Sequence, residues 1–252
     1  MRKTDYSRVA IRYDENQDRH RIQPDPTLAA LFERAPARRR AVLDLACGTG
    51  NWLAVQTKAY ADRSVAWFGL DASEAMLERA RPKLTNVELA LGSAERLPYP
   101  DRSIDYLIVS FAFHHFEDKP RVLDEMARVL TDDGTLAIVN VAPTHMRLWW
   151  VYSRFWRAYP EDEARFWSAE RLFHEVDKRG FEPVARIEYE LYHLELARIA
   201  EDIERRDISQ LAILPDDDYQ RGLERVRADL AANPGARERT EIALLRFTAE
   251  RR

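Results

Sequence analysis

The fold class that the sequence predicts is α/β, a doubly wound and mostly parallel sheet of seven strands with a helical, aromatic cap. Short apolar runs alternate with segments of helical spacing, which is typical of a parallel sheet covered by helices on both faces. A dense group of aromatic residues then interrupts this alternation before a further helix and strand follow. Hydrophobic residues make up 46% of the 252 residues and charged residues 33%, a composition that can form a buried core.

Five strands are predicted where short apolar runs end at a glycine or a polar residue. Apolar runs of this length are typical of strands that are buried on both faces of a parallel sheet. The runs are 41–46, 65–70, 87–91, 104–110 and 135–141. Between them, helical spacing predicts one helix from Met76 to Leu84 and another from Val122 to Leu130, with Pro120 in its first turn.

The aromatic insert, residues 143–168, holds eight aromatic side chains within 26 residues. After the insert, Ser168 can cap a helix that Gly180 can end. The alternating pattern at 182–191 then predicts a sixth strand.

The remaining segments predict more helix and a last strand. Residues 194–232 have an amphipathic helical pattern that breaks at Leu214-Pro215. The run 241–248 fits either a strand or a helix, because a short apolar run does not decide between them. We favour a strand that pairs antiparallel with 182–191.

Composition excludes several classes of protein. The net charge of −4 provides no positive field for phosphate binding, so nucleic acid is not an expected partner. The apolar runs are far shorter than the roughly 20 residues of a membrane span, so no membrane crossing is expected. A single cysteine, Cys47, excludes an internal disulfide and a cysteine-built zinc site. No apolar segment follows the basic start of the chain, and we expect a cytoplasmic protein without a metal site.

A glycine-containing loop, residues 44–51, follows the first predicted strand. Gly48 and Gly50 allow the backbone to approach a ligand, and a helix from about Trp52 directs its unpaired N–H groups towards it. Asp71 stands 21 residues after Gly50, at the end of the second strand. An acidic residue at this place in such folds accepts hydrogen bonds from two ribose hydroxyls, so the pattern predicts a nucleoside ligand.

The loop departs from the dinucleotide-binding pattern G-x-G-x-x-G. Ala46 stands before the glycine pair and Leu53 stands three residues after Gly50, so the fingerprint is incomplete. Asp44 would repel a pyrophosphate and suits a ligand that carries an ammonium group. The loop therefore favours a nucleoside with an ammonium group over a dinucleotide.

The ordered motifs resemble those of the class I S-adenosylmethionine-dependent methyltransferases, which have a Rossmann-like fold. The resemblance is strongest to their small-molecule branch, which includes the ubiquinone-biosynthesis C-methyltransferases. It covers about residues 41–141 and 168–191. The matching motifs are residues 44–50, 69–77, 92–99 and 110–115. Several motifs in the right order are more specific than one glycine-rich loop.

The resemblance implies S-adenosyl-L-methionine as the cofactor. Asp71 would hold the ribose diol, Met76 would lie against the adenine, and the backbone of Ala94 would reach the polar edge of the adenine. The family often has Asp where this chain has Ser93, so either Ser93 or Glu95 would accept from the adenine amine. The implied cofactor-binding residues are Tyr13, Asp44, Ala46, Gly48, Gly50, Asp71, Ala72, Met76, Ser93, Ala94, Glu95 and Ser110.

Candidate catalytic residues follow the fourth strand. A histidine near the carboxyl end of a strand can act as a general base, because histidine titrates near neutral pH. His114 and His115 are therefore the candidates, although the pair could instead shape the turn.

The aromatic insert supplies the candidate acceptor-binding residues. It follows the fifth strand, beside the region where open α/β sheets bind ligands, so we expect it to line the acceptor pocket. The proposed residues are Trp149, Trp150, Tyr152, Phe155 and Trp156. A packed cap or a seam between two copies of the chain is the alternative, which leaves a homodimer open.

The favoured function is transfer of the methyl group of S-adenosylmethionine to a small, aromatic or heterocyclic metabolite. An NAD-type oxidoreductase is one alternative, which the incomplete fingerprint disfavours. A non-catalytic nucleoside-binding module, with residues 194–232 holding a protein partner, is the other. The predicted organisation is an N-terminal cap at 1–40, a cofactor-binding core at 41–142, the aromatic insert at 143–168, and the remainder of the sheet at 169–252 with a helical insertion at 194–232.

Overall fold

The structure is a computed structural model that describes residue 10 and residues 13–15, 22–35, 37–206 and 208–252. The strands are β1 (Arg40–Leu45), β2 (Val65–Asp71), β3 (Val87–Leu91), β4 (Ile104–Ser110), β5 (Leu130–Val141), β6 (Phe181–Glu195) and β7 (Arg237–Arg251). The helices are α1 (Pro26–Arg34), α2 (Asn51–Ala59), α3 (Glu74–Ala80), α4 (Lys119–Val129), α5 (Trp150–Arg154), α6 (Ala158–Arg165), α7 (Ala169–Asp177), α8 (Leu196–Glu204), α9 (Ser209–Ala212) and α10 (Asp216–Ala232). Short 3-10 turns lie at Tyr13–Glu15, Arg81–Lys83, Phe113–His115 and Met146–Leu148.

The seven strands form one sheet in the order β3-β2-β1-β4-β5-β7-β6. Strands β1 to β5 pair in parallel, and the order reverses between β1 and β4, as in a doubly wound fold. The predicted fold class is therefore confirmed.

The last two strands run antiparallel to each other. At one end a backbone hydrogen bond joins Arg252 to Gly180, and at the other end Leu196 bonds to Ala236. The start of β6 thus lies beside the end of β7, and the end of β6 beside the start of β7. This is the antiparallel pairing predicted for the runs 182–191 and 241–248. Tertiary pairing extends both strands well beyond the predicted runs, to 15 residues each.

The strand β5 begins earlier than the sequence predicts. Leu130, expected as the last residue of a helix, instead pairs with Ile104 in the parallel ladder. The register then shifts between Ile104 and Tyr106 before regular pairing resumes at Thr135. Helix α4 consequently ends at Val129, because backbone pairing with β4 replaces its next helical turn.

Three helices, α1, α3 and α4, begin at a side-chain cap. Ser73 accepts a hydrogen bond from the backbone N–H of Met76 at the start of α3, and Asp118 caps α4 ahead of Pro120. Asp25 caps α1 and also accepts from the buried Tyr106 hydroxyl at 2.6 Å. These caps fix where α1, α3 and α4 begin.

The chain divides into two compact units, and each is described separately. The sheet unit comprises the described residues of 6–140, 170–186 and 246–252. One core cluster packs helices α1, α2 and α3 on the sheet through Leu28, Leu31, Phe32, Val42, Cys47, Trp52, Leu53, Trp67, Leu77, Ala80, Leu84, Tyr106, Ile108 and Ala137. Burial of this apolar surface stabilises the unit that carries the predicted loop.

The helical unit comprises the described residues of 141–169 and 187–245. Residues 194–232, predicted as helix, form α8, α9 and α10 after β6, with the predicted break at Leu214-Pro215. The aromatic insert packs with these helices in one core of Met146, Trp149, Val151, Tyr152, Phe155, Ala158, Phe166, Leu196, Ile203, Leu211, Leu214, Tyr219, Leu223 and Val226. Among the described residues, no helix is both long and apolar enough to span a bilayer.

Candidate functional site

The candidate site lies where the parallel strands of the sheet unit end. Asp44 of β1 pairs with Ile108 of β4, and Ser110 at the end of β4 pairs with Val139 of β5. Asp71 at the end of β2 pairs with Leu91. The carboxyl ends of all five strands therefore meet at one edge, where open parallel sheets bind ligands.

The glycine-containing loop turns sharply between β1 and α2. Ala46, Gly48 and Gly50 all have positive φ, at 62°, 55° and 76°. The loop is held against β2, since the N–H groups of Ala46 and Cys47 both donate to the Leu70 carbonyl. The Gly50 N–H in turn donates to the Cys47 carbonyl, so the loop is a tight, internally hydrogen-bonded turn.

The two loop glycines are required for different reasons. A Cβ at Gly50 would lie 2.5 Å from Leu84 Cδ1 and 3.2 Å from Ala80 Cβ, so this glycine permits close packing on α3. A Cβ at Gly48 would meet no heavy atom of the described residues within 4 Å. The space beside Gly48 is therefore open to a ligand, and a cofactor there would approach bare backbone.

Asp71 is fixed by the loop itself. Its Oδ2 accepts from the Gly48 N–H at 2.8 Å, and its Oδ1 accepts from the Ser73 N–H at 2.8 Å. Burial raises the pKa of Asp71, and the hydrogen bonds from Ser73, Gly48 and Ala72 oppose that rise. Each carboxylate oxygen can accept a second hydrogen bond, so Asp71 can still receive two hydroxyls.

Asp44 is a second buried carboxyl near Asp71. Burial raises the pKa of Asp44 to about 8, and the negative charge of Asp71 adds to the rise. No donor of the described residues is hydrogen-bonded to the Asp44 carboxyl. A buried carboxyl without a donor favours a cationic ligand group, because the positive charge would stabilise its ionised form.

The first described turn of the chain contacts the same loop. Asp14 accepts from Thr49 Oγ1 at 2.7 Å, from Asn51 Nδ2 at 2.9 Å and from Lys83 Nζ at 2.6 Å. Burial would raise the pKa of Asp14, but the hydrogen bonds from Lys83, Thr49 and Asn51 outweigh it and hold the pKa below its ordinary value. The adjacent Tyr13, expected to close over the cofactor, is half-buried in this 3-10 turn.

The predicted adenine-side residues follow β2 and β3. Ala72 adjoins Asp71, and Met76 is buried in the first turn of α3. Ala94 is buried as well, two residues after Gly92, whose N–H donates to the Asp71 carbonyl. Ser93 donates to the Glu95 carboxylate, so these two alternative acceptors are hydrogen-bonded to each other.

The predicted catalytic histidines occupy the 3-10 turn after β4. His114 is buried and His115 is half-buried, and their ring centroids are 3.9 Å apart. His114 Nδ1 lies 3.1 Å from the Oδ1 of buried Asn140 in β5. Phe111, just after Ser110, has a positive φ of 52° and is 51% exposed.

The predicted acceptor-binding residues lie in the helical unit. Trp149, Tyr152 and Phe155 are buried in its core, Trp150 is partly buried against it, and Trp156 is 56% exposed. Tyr152 donates to buried Asp162 at 2.7 Å, so its hydroxyl is engaged within the unit. Much of the insert therefore packs as core, and its contact with an acceptor stays a prediction.

Several polar residues at the site have no motif in the sequence. Lys83 follows α3 with no distinguishing pattern, and Asn140 lies inside an apolar strand. The polarity of Asn140 within the run 135–141 was the available signal, because a buried amide needs a hydrogen-bond partner. Thr49 and Asn51 lie within the loop, but only the contact with Asp14 shows their role.

No cluster of three His, Cys, Asp or Glu side chains in the described parts of the chain is arranged to hold a metal ion. The site offers instead two buried carboxyls, an open space beside Gly48 and two imidazoles. This set can bind a polar, partly cationic ligand and accept a proton.

Comparison with known proteins agrees with this geometry. Residues 42–134 match the family model of the methyltransferase domain. The demethylmenaquinone methyltransferase of Listeria monocytogenes serotype 4a (strain HCC23) is 38% identical over 113 residues, which are 43% of this chain and 47% of that protein. The chain thus matches about half the length of this curated relative.

Solved structures agree over more of the chain. The YcgJ protein from Bacillus subtilis has a TM-score of 0.60 at 22% identity. The match covers 90% of this chain and 98% of the YcgJ chain. A SAM dependent methyltransferase from Aquifex aeolicus has a TM-score of 0.54 at 21% identity. That match covers 73% of this chain and 92% of the Aquifex aeolicus chain. At these identities the structural similarity bears on the fold. Together with the family match over residues 42–134 and the 38% identical relative, it shows that the sheet unit of this chain is similar to methyltransferase domains.

Proposed function

We propose that the protein transfers the methyl group of S-adenosylmethionine to a small, aromatic or heterocyclic acceptor. The observation that carries the proposal is the Asp71 carboxylate, held by the N–H groups of Gly48 and Ser73 beside an open loop. A fixed acceptor pair at the end of β2 suits the two hydroxyls of a ribose.

The remaining groups of the site fit the other parts of the cofactor. The ammonium group of the methionine portion suits the buried Asp44 carboxyl, which has no donor among the described residues. Gly48 and Gly50, with Ala46, would line the methionine and ribose portions. Ala72, Met76, Ser93, Ala94 and Glu95 would surround the adenine, and Tyr13 and Ser110 would close the site.

When bound, S-adenosylmethionine supplies a methyl group on a positively charged sulfur. The chain then has to align the acceptor with that methyl group and exclude water, which provides most of the rate. A base is needed where the acceptor must lose a proton, and His114 or His115 would take it.

The acceptor is proposed to be a reduced aromatic ring system. The relative that is 38% identical is named for demethylmenaquinone, a quinone, and the aromatic insert offers flat apolar side chains for such a ring. The net charge of −4 also favours a small acceptor over nucleic acid, and we expect the protein to act in the cytoplasm.

Titration calorimetry tests the cofactor. We expect heat of binding with S-adenosylmethionine and none with NAD, whereas binding of NAD alone would support the oxidoreductase instead. The variant Asp71→Ala should bind less tightly, and Asp132→Ala, which removes an exposed carboxylate, should bind as the unchanged protein does.

A methyl-release assay tests turnover. The first probe is a reduced 1,4-naphthoquinone without a substituent at the methylated carbon, followed by phenols and aromatic amines. Cofactor binding without transfer to any of these probes would favour the non-catalytic binding module. Light scattering of the same sample tests whether two copies associate.

A further inference from the structure

Asn140 and His114 form a buried pair at the edge of the sheet where the candidate site lies. The Oδ1 of Asn140 is 3.1 Å from His114 Nδ1, and both side chains are more than nine-tenths buried. Asn140 directly follows Val139, which pairs with Ser110. The pair therefore joins the end of β5 to the turn after β4.

The hydrogen bond has a consequence for the imidazole. An amide oxygen accepts hydrogen bonds only, so a bond from Nδ1 to Oδ1 places the ring proton on Nδ1. In the neutral ring the lone pair is then on Nε2. Without Asn140 either nitrogen could carry the proton, and only one of the two forms presents a basic Nε2.

We propose that Asn140 is a positioning residue that holds His114 in the Nδ1–H form, so that Nε2 accepts the proton of the methyl acceptor. The proposal rests on the proposed function, since it assigns a role in that same reaction. In metal and hydrolase sites a neighbouring group commonly fixes a histidine tautomer in this way.

The proton and electron balance of the step is complete. A nucleophilic atom of the acceptor forms a bond to the methyl carbon, and the bond from sulfur to that carbon breaks with its electron pair going to sulfur. The acceptor's proton passes to Nε2 of His114 and later leaves to solvent. Asn140 takes up no proton and stabilises the imidazolium by continuing to accept from Nδ1.

His115 is the less suitable base by position. It is half-buried and lies ring to ring with His114, at a centroid distance of 3.9 Å. Two imidazolium ions so close would repel each other, so only one of the two rings can carry a positive charge at a time. The hydrogen bond between His114 and Asn140 therefore favours His114 as the base.

Nitrogen-15 NMR of histidine-labelled protein tests the tautomer without any acceptor. We expect His114 in the Nδ1–H form in the unchanged protein and in Asn140→Asp, which keeps an acceptor oxygen at the same place. Asn140→Leu should lose that preference. Asn86→Leu, a change at an exposed asparagine, is the matched control and should keep it.

Kinetics with the reduced 1,4-naphthoquinone probe test the role in the reaction. Asn140→Leu should lower kcat roughly 10- to 100-fold, because the ring loses the partner that fixes both its tautomer and its orientation. KM for the probe and the Kd for S-adenosylmethionine should stay within about threefold, and Asn140→Asp should restore most of kcat. Unchanged cofactor binding also shows that the variant has folded.

Two results would overturn the proposal: His114 of the unchanged protein in the Nε2–H form, or an Asn140→Leu variant with undiminished kcat. A failure of the proposed function is distinct from these. In that case the unchanged protein itself would not bind S-adenosylmethionine or would not methylate the probes, while the NMR result would still decide what Asn140 does to His114.

Discussion

At the scale of single residues, the site combines two buried carboxyls that are in different states. Burial raises the pKa of Asp71, and the backbone donors of Gly48 and Ser73 oppose that rise. Asp44 has no donor among the described residues, and burial and the charge of Asp71 raise its pKa to about 8. At neutral pH Asp44 therefore stays mostly protonated until a cationic group binds beside it.

The first prediction concerns cofactor affinity. Asp71→Ala removes a charged acceptor and also the partner of the Gly48 and Ser73 N–H groups. A hydrogen bond to a charged group contributes about 1.5–3 kcal/mol, so the Kd for S-adenosylmethionine should rise by one to two orders of magnitude. Calorimetry measures this, with circular dichroism to verify folding. An unchanged Kd in a folded variant would refute the ribose role.

The second prediction is a pH dependence of stability. The pKa of Asp44 is raised from 3.8 to about 8 in the folded protein, so the folded state binds the extra proton. The contribution of Asp44 to the free energy of unfolding is fully present below pH 3.8 and is lost as the pH rises towards 8. The loss is at most about 1.4 kcal/mol per pH unit. Asp44→Asn should therefore gain in free energy of unfolding relative to the unchanged protein across this range.

Urea unfolding of both proteins at several pH values checks this difference. Because the other ionisable groups are common to both proteins, subtracting the two curves isolates Asp44. Parallel curves between pH 4 and pH 8 would show that Asp44 is not buried as a neutral acid.

The third prediction separates backbone strain from ligand contact. Gly48 and Gly180 both have positive φ, and a Cβ at either would meet no described heavy atom within 4 Å. Alanine at either position should lower the free energy of unfolding by a similar amount, about 1–2 kcal/mol, because the left-handed conformation is strained for a residue with a Cβ. Only Gly48→Ala should also weaken S-adenosylmethionine binding, by at least about tenfold. Equal affinities for the two variants would place the cofactor elsewhere.

At the scale of elements, the 3-10 turn Tyr13–Glu15 is joined to the loop and to the turn Arg81–Lys83. Lys83 Nζ donates to Asp14, to the Thr49 carbonyl at 3.0 Å and to Asn51 Oδ1 at 2.8 Å. One ammonium group thus links three segments of the chain at the start of α2. These hydrogen bonds hold the loop in addition to those that it makes with Leu70 of β2.

The fourth prediction follows from this link. Lys83→Met keeps the aliphatic stem and removes the ammonium, which leaves the part-buried Asp14 carboxylate with fewer donors. We expect the Kd for S-adenosylmethionine to rise about three- to tenfold, and the amides of residues 13–15 to exchange faster. The control is Arg81→Met, in the same turn as Lys83, which breaks an exposed ion pair with Glu74 of α3. It should change neither the Kd nor the exchange of residues 13–15.

At the scale of the whole molecule, each unit has a core of its own. The core of the helical unit packs the aromatic insert tightly against α10. A Cβ at Gly222 in α10 would lie 2.2 Å from the ring of Phe155. The absence of a side chain at residue 222 is thus what allows Phe155 to be buried.

The fifth prediction uses this contact. Gly222→Ala should destabilise the helical unit by about 1–3 kcal/mol through overpacking, although alanine favours helix. Gly235→Ala, with its nearest contact at 3.6 Å, should have little effect, and Phe155→Leu should rescue Gly222→Ala by making room. Hydrogen exchange at 150–165 reports the change. Uniform loss of protection that includes β1 to β5 would show that the two cores do not unfold separately.

The sequence by itself determined the elements of the sheet unit and the loop. Apolar runs and helical spacing are local patterns, so strands β1 to β4 and helices α3 and α4 lie close to where the pattern predicts them. The positions of Gly48 and Gly50 after β1 and of Asp71 at the end of β2 follow from the same local pattern, whereas their contact with a cofactor stays a prediction.

Tertiary structure alone decided the contacts between distant segments. Lys83 reaches Asp14 across 69 positions and His114 reaches Asn140 across 26, and no local pattern encodes either distance. The same holds for the aromatic insert, whose composition suggests a binding surface but whose side chains Trp149, Tyr152 and Phe155 are largely buried by α8 to α10. Burial depends on which surfaces meet after folding, and that is a property of the packed chain rather than of any one segment.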